Sequence, residues 1–379
     1  MYNEKITLKK YIPTLIFVVV LIFHHNLWKF LSLLKLPYLY HIIIPFTFSA
    51  GLIPILYTIG KELNIVDKPG GRHIHKSITP RTGGIAILIS FISCINLIKN
   101  LPREFYGLFV GSAIIGLLGI LDDIKRLPAT LKLIVQIVAA GIVIYHGIYF
   151  TFLPNTLLWK IGETILTIVW ILSITNAFNF LDGIDGLASG IGIVSSTFFF
   201  IIAYMQGDNF MLIANLIFVG TVLGFFVYNF RYKKRALIFL GDAGSNLIGF
   251  IISILAIYGT WGDNKSMDII IPILILGIPI ADLVMTTILR IGERKVRNLQ
   301  ELLSYTGTDH IHHRTMKVGL SPKKAVIALF ALNVIMGIIS ILIHRSGLIE
   351  GILAIAAGIM IFVLFIHIIV TGEKNKTHF

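Results

Sequence analysis

Cysteine is almost absent from this 379-residue chain, which holds only Cys94. A lone cysteine excludes an internal disulfide framework and a thiolate metal cage, so the fold must rest on side-chain packing. Charge is scarce too: 13% of residues are charged against 56% hydrophobic, and the mean hydropathy is +0.87. No soluble core needs that much apolar surface, whereas repeated membrane spans do. Acids are scarcer than bases, 19 to 32. There is no GxxxxGK[ST] loop, which excludes a P-loop NTPase. No low-complexity linker or soluble appendage interrupts the apolar pattern.

A hydrocarbon core of about 30 Å takes about 20 helical residues. Runs of that kind lie near 12–34, 40–60, 83–99, 105–121, 130–149, 159–178, 186–206, 210–229, 243–261, 268–290, 324–344 and 348–371. They predict an all-α polytopic integral membrane protein with about 11–12 transmembrane helices. Residues 1–39 read as an extra N-terminal span or an interfacial helix, because His24, His25, Asn26 and Lys29 interrupt the run. Residues 40–379 read as one membrane-embedded domain. With both termini cytoplasmic, only Lys29, Lys35, Lys99, Arg103, Lys160, Lys265 and Arg345 of the 32 Lys and Arg fall off the inner side. That asymmetry predicts a multi-pass protein of the cytoplasmic membrane and accounts for a net charge of +13 without nucleic acid. Gly107, Gly111, Gly116 and Gly119 recur at a spacing that predicts close helix contact. Trp159 and Trp261, at expected outer ends, read as interface anchors.

Five polar clusters fall on the expected inner side. Ionisable groups in or beside apolar spans are costly and mark function. Asp122 and Asp123 end a span; adjacent carboxylates repel unless a divalent cation or a proton acceptor role holds them. In Asn176-Ala-Phe-Asn179-Phe-Leu-Asp182-Gly-Ile-Asp185, polar residues recur every third position, on one helix face. A cap needs one such residue, not four. Phe239-Leu-Gly241-Asp242-Ala-Gly244-Ser245 opens a span, where free backbone N–H groups suit phosphate oxygens. Asp242 there calls for a metal between it and the phosphate. His310, His312, His313 and Arg314 occupy the longest inner loop; their basic setting favours a diphosphate or sugar contact over zinc. Asp67, Arg72, His73, His75, Lys76 and Arg81 share the first inner loop with paired glycines and read as phosphate-facing. With oxygen ligands and no nearby cysteine, the set calls for Mg²⁺, or Mn²⁺ in its place.

These motifs, in this order over about residues 50–345, resemble the polyprenyl-phosphate N-acetylhexosamine-1-phosphate transferases, membrane enzymes of bacterial envelope synthesis. The spacing His310-Ile-His312-His313 is similar to the branch that uses UDP-N-acetylhexosamines, as in the initiation of wall teichoic acid or O-antigen. The resemblance implies transfer of N-acetylglucosamine 1-phosphate from UDP-GlcNAc to undecaprenyl phosphate at the cytoplasmic face, with release of UMP and a homodimer left open. It implies Asp122 and Asp123 near the metal and the lipid phosphate, Asp242 as a metal ligand, and Asp182 as a further catalytic acid. Asn176, Asn179, Asp182 and Asp185 fall on the nucleotide side, Phe239 stacks on uracil, and Lys125 and Lys132 face phosphate. His310, His312 and His313 contact the diphosphate and sugar. The chain departs from the family where Asn229 is followed by FRYKKRAL, without proline, and where Gly307-Thr308 replace an Asp-Arg pair. Two alternatives remain at this level: a muramyl-pentapeptide nucleotide donor, and a proton-coupled carrier. The one-sided clustering and the absence of an inverted repeat speak against the carrier.

Overall fold

Apolar residues surround most of the helices on every side, as burial in lipid and in a helix bundle both demand. The computed structural model describes residues 10–67, 78–95, 97–98, 101–231, 234–296, 301, 307 and 309–376. In chain order the helices are α1 Ile12–Ile22, α2 His24–Leu33, α3 Tyr40–Glu62, α4 Gly83–Ile95, α5 Phe105–Ile124, α6 Ala129–Tyr145, α7 Leu157–Leu181, α8 Leu187–Gln206, α9 Asn209–Asn229, α10 Gly241–Tyr258, α11 Met267–Ile275, α12 Gly277–Gly292, α13 Ile311–Lys317, α14 Pro322–Ile343 and α15 Leu348–Lys376. Two short strands, β1 (Val66–Asp67) and β2 (Thr79–Pro80), pair antiparallel with Val66 opposite Pro80. The protein is all-α and polytopic.

Every expected apolar run contains helix, but not every run is one straight span. Among the described residues, eight helices are long and apolar enough to cross a membrane, or ten if two bent pairs each count once. The first run breaks at Phe23 into α1 and α2, bent by 73°, beside the polar His24, His25 and Asn26 that interrupt it. The run at 268–290 breaks into α11 and α12, bent by 76°, where Pro272 and Gly277 weaken helix continuity. Helices α4 and α6, with 13 and 17 residues, are shorter than a full span.

Helix α10 is the axis of the bundle. Its most apolar window is 89% buried, against 17% for that of α15. It packs against α4, α5, α7, α8 and α11. The glycines of α5 permit this: a Cβ on Gly119 would lie 2.3 Å from the Cα of Ala243, and one on Gly111 would lie 2.5 Å from the Phe250 ring. Trp261 is not an interface anchor. It is fully buried, its indole N–H donates to the Ala256 carbonyl at 2.7 Å, and its ring lies 4.4 Å from that of Phe199. The residues that follow α10 turn inward, and the indole found an internal acceptor rather than the headgroup region. Trp159 is exposed, as an anchor requires.

The β-hairpin also ties to the segment before α10. The Phe239 N–H donates to the Pro80 carbonyl at 2.8 Å, and the Gly83 and Gly84 N–H groups donate to the carbonyls of Phe239 and Leu240. Strand β2, the start of α4 and the Gly-Asp turn thus form one backbone unit.

The close approach of α5 and α10 sets an expectation. Gly119→Ala is expected to destabilise the protein by about 1–3 kcal/mol, because the added methyl meets backbone that cannot yield. Gly141→Ala in α6, where a Cβ meets nothing within 4 Å, is expected to be neutral or stabilising. Thermal unfolding in detergent compares the two; equal midpoints overturn the packing argument.

Candidate active site

The ends of α5 and α7 meet the start of α10. At the end of α5, Asp122 and Asp123 face different partners. Asp123 accepts from the backbone N–H groups of Asp242 (3.0 Å) and Ala243 (3.1 Å). A carboxylate from a neighbouring helix therefore caps α10 and meets its positive dipole end. Gly241, with φ of +72°, makes the turn; a Cβ there would lie 2.5 Å from Asp123 Oδ2 and 2.6 Å from the Arg81 carbonyl oxygen. The amides expected to cradle phosphate are thus already satisfied by Asp123.

Asp122 accepts from the Leu127 N–H at 2.6 Å and from Lys132 Nζ at 2.7 Å. Lys132 also reaches Asp242 Oδ2 at 3.5 Å. The other oxygen of Asp242 accepts from Asn179 Nδ2 at 3.3 Å, and that amide also donates to Ser245 Oγ at 3.0 Å. Asp242 is therefore the shared member between the Asp122–Lys132 pair and the polar face of α7.

The predicted face is cut short: α7 ends at Leu181, so Asn176 and Asn179 lie on the helix, Asp182 is its C-cap and Asp185 lies in the turn beyond, where Gly183 and Gly186 interrupt the helix. Asn176, half-buried on α7, donates to Gln136 Oε1 at 3.0 Å. Asp182 ends α7. Removal of water, with Asp242 and Asp123 nearby, holds its carboxyl well above the ordinary range, opposed by Arg81. Asp185 accepts from the Ala236 N–H at 3.1 Å. Gly186, at φ +84°, donates its N–H to Asn229 Oδ1 at 2.7 Å, and Asn229 donates to the Ile238 carbonyl at 3.0 Å. Asn229 and Asp185 thus brace the segment before α10 against the end of α7.

These groups surround a cavity of about 540 Å³, within the size range of ligand pockets. Arg81, Asn179, Asp182, Asp185, Phe239, Asp242 and His313 line it, with Arg235 and Lys323 adding positive charge. Arg81 pairs with Asp67 at 2.9 Å.

The histidine loop lies beside the cavity. His310 Nδ1 lies 2.8 Å from Asp282 Oδ2, and the Ile311 N–H donates to Asp282 Oδ1 at 2.7 Å. Arg290 donates to both oxygens of Asp309, at 2.7 and 2.9 Å. Burial alone would raise the Asp309 carboxyl, but this guanidinium holds it below the usual range. His312 is buried, and neither ring nitrogen has a protein partner. Its Nε2 would sit 2.1 Å from a Cβ on Gly183, so glycine is required there for close contact. Burial, then the neighbouring histidines, push the His312 pKa well below its ordinary value.

The structure gathers Asn179, Asp182, Asp185, Arg81, Phe239, Asp242 and His313 at the cavity, with Asp122, Asp123 and Lys132 adjoining Asp242. Lys125 is exposed at the end of α5, and Asn176, His310, His312 and Arg314 do not line the cavity. Arg314 turns back to the Asp309 carbonyl at 2.9 Å. Arg72 and His75 lie outside the described residues. Sequence reasoning passed over Asp282, Arg290, Gln136 and the bracing role of Asn229. The signal for the first two was present: an acid and a base eight residues apart in an apolar helix.

The set Asp122, Asp123 and Asp242 does not form a ready metal cage. Among the described residues, no three His, Cys, Asp or Glu side chains are grouped to hold a metal ion. The reason is local: Asp123 faces backbone amides and Asp122 faces Lys132. Asp242 and Asp182 remain on the cavity with Asn179, an all-oxygen set. Crowded carboxylates with one acid pushed upward are the electrostatic situation a hard dication relieves, so these residues fit Mg²⁺.

Comparison with known proteins gives a consistent result. Residues 105–260 match the family model described as glycosyl transferase family 4. The chain is 35% identical to a probable undecaprenyl-phosphate N-acetylglucosaminyl 1-phosphate transferase of Bacillus subtilis, over 86% of this chain and 89% of the relative. It is 27% identical to decaprenyl-phosphate N-acetylglucosaminephosphotransferase of Mycobacterium leprae, over 75% and 77% of the two chains. It is 25% identical to undecaprenyl-phosphate alpha-N-acetylglucosaminyl 1-phosphate transferase of Yersinia pestis, over 84% and 88%.

The buried His312 makes stability depend on pH. Its folded pKa lies below the unfolded value, so the unfolded chain binds the proton first as pH falls. Stability is then complete above about pH 6.5 and is lost below it. Asp182, raised in the folded chain, contributes in the opposite sense. The difference between the unaltered protein and His312→Leu cancels that contribution: the unfolding midpoint of the variant is expected to fall less between pH 7.5 and pH 5. Parallel pH curves contradict this.

Proposed function

The chain belongs to the polyprenyl-phosphate N-acetylhexosamine-1-phosphate transferase family, and from that premise we propose that it transfers N-acetylglucosamine 1-phosphate from UDP-GlcNAc to undecaprenyl phosphate, releasing UMP. The reaction is placed at the cytoplasmic face of the cell membrane, as the first step of a lipid-linked envelope glycopolymer. A phosphate oxygen of the lipid attacks the β-phosphorus of the donor. A new P–O bond forms, the bond to the UMP oxygen breaks, and UMP carries away the electron pair.

The observation that carries this reading is the position of Asp242. One of its oxygens faces Asn179 on the cavity side and the other faces Lys132, which holds Asp122. The cavity takes the nucleotide sugar: Arg81 and Arg235 hold phosphate charge, Phe239 offers a ring to uracil, and His313 lines the sugar-diphosphate side. Asp122 and Lys132 stand where the lipid phosphate arrives; Lys132 neutralises charge there, and Asp122 orients it. The lipid phosphate is already ionised near neutral pH, so attack needs little base. Mg²⁺, held by Asp242 and Asp182, supplies charge stabilisation on the diphosphate when bound. Asp123 acts at one remove, by fixing the turn that carries Asp242.

Purified protein incubated with Mg²⁺, undecaprenyl phosphate and UDP-GlcNAc is expected to release UMP. Release with UDP-MurNAc-pentapeptide instead would reassign the donor, and transport without UMP release would replace the reading altogether. Asp242→Asn is expected to lower the rate and weaken its dependence on Mg²⁺ together; full turnover in excess EDTA contradicts the metal assignment. Asp122→Asn is expected to depress kcat far more than it raises the KM for UDP-GlcNAc. Phe239→Ala is expected mainly to raise that KM, by a loss of about 1–3 kcal/mol of stacking. Steady-state kinetics separate the two, and an unchanged KM with lost kcat in Phe239→Ala removes that residue from the base.

A further inference from the structure

Asp282 is 1% exposed in the apolar helix α12, and neither the transfer reaction nor the cavity uses it directly. Its surroundings fix a hydrogen-bond direction. Arg290 Nη2 lies 3.1 Å from His310 Nε2, and a guanidinium only donates, so Nε2 must accept. The proton of the ring is then on Nδ1, which donates to Asp282 Oδ2 at 2.8 Å. The other oxygen of Asp282 accepts from the Ile311 N–H, the first amide of α13. His310 is thus locked in one tautomer between an acceptor and a donor, and has no free nitrogen for acid–base work.

The lock extends to the cavity through short links. His310 is the N-cap of α13, and the His313 N–H donates to the His310 carbonyl at 3.0 Å. His313, one turn along, lines the cavity. The His310 ring also lies 5.1 Å from that of Phe180, the neighbour of Asn179 on α7.

We propose that Asp282 is a positioning residue, acting through His310 to present His313 to the donor cavity. The proposal rests on the transfer reaction argued above. It divides the three histidines by role: His310 anchors, His312 packs on Gly183, and His313 meets the donor. Asparagine cannot replace the acid. Its amide offers one acceptor oxygen for two N–H groups, and the opposite histidine tautomer would aim Nε2–H at the Arg290 N–H.

The test combines kinetics with nitrogen-15 NMR of the histidine-labelled full chain in detergent. Asp282→Asn and His310→Gln are each expected to raise the KM for UDP-GlcNAc about 10- to 100-fold, as lost orienting partners do. The KM for undecaprenyl phosphate is expected to stay unchanged. The double variant is expected to be no worse than either single one, because both remove one interaction. The unaltered protein is expected to show Nδ1–H tautomer signals from His146 and His344, whose Nδ1 atoms face backbone carbonyls, and a further one from His310. His310→Gln assigns that signal, and Asp282→Asn is expected to lose it alone. Unchanged UDP-GlcNAc KM in Asp282→Asn, equal loss toward both substrates, or additive loss in the double variant overturns the proposal. Should Asp282→Asn not accumulate, His310→Gln carries the same test. No UMP release from the unaltered protein would sink the proposed function itself, while the tautomer signal reads the lock independently.

Discussion

The contact on which the site depends is a carboxylate bound to two backbone amides. Asp123, at the end of α5, accepts from Asp242 and Ala243 at the start of α10. A helix start buried inside a membrane bundle cannot leave its N–H groups to water. Supplying the partner from another helix satisfies the amides and fixes two helices relative to each other. It also fixes the direction in which Asp242 points, and Asp242 meets Lys132 on one side and Asn179 on the other. Gly241 and Gly119 let the backbones come close enough for the contact to exist.

A second set of braces stands around the cavity. Asn229 holds Gly186 and Ile238, Asp185 holds Ala236, and Asp282 with Arg290 holds the histidine loop. All three support residues on or beside the cavity. In a low-dielectric interior such hydrogen bonds are directional and costly to leave unmade. They convert flexible inter-helix segments into fixed walls.

Much of this was legible in the sequence for a plain reason: the apolar runs report lipid or core burial directly, and the third-position spacing of Asn176, Asn179 and Asp182 reports one helix face. The family motifs then pointed to Asp242 and Phe239. What escaped was partner choice. Hydropathy does not say that Asp122 takes Lys132 while Asp123 takes backbone amides, so a cage of three carboxylates looked natural. Nor does it say where a span bends; Pro272 and Gly277 were visible, but the 76° break was not. Trp261 misled because an indole at a span end suits the interface and a buried acceptor equally well. Asp282 and Arg290 were hidden within a run read as a membrane span.

Helix α10 bears on how the chain enters the bilayer. It has the lowest mean hydropathy of the eight long helices, 1.4, yet its window is the most enclosed, whereas α14 reaches 2.8 with 39% of its window buried. Two of the least enclosed helices, α14 and α15, carry the highest hydropathy; the one that carries the Gly-Asp turn does not need it once surrounded. Of the helices it packs against, α4, α5, α7 and α8 precede it in the chain and only α11 follows. During synthesis from the N-terminus, most of its binding surface is therefore already in the membrane when it emerges. Its marginal apolar character is matched by the order in which its neighbours are made, so an enzyme with its polar turn buried at the centre still assembles from one end.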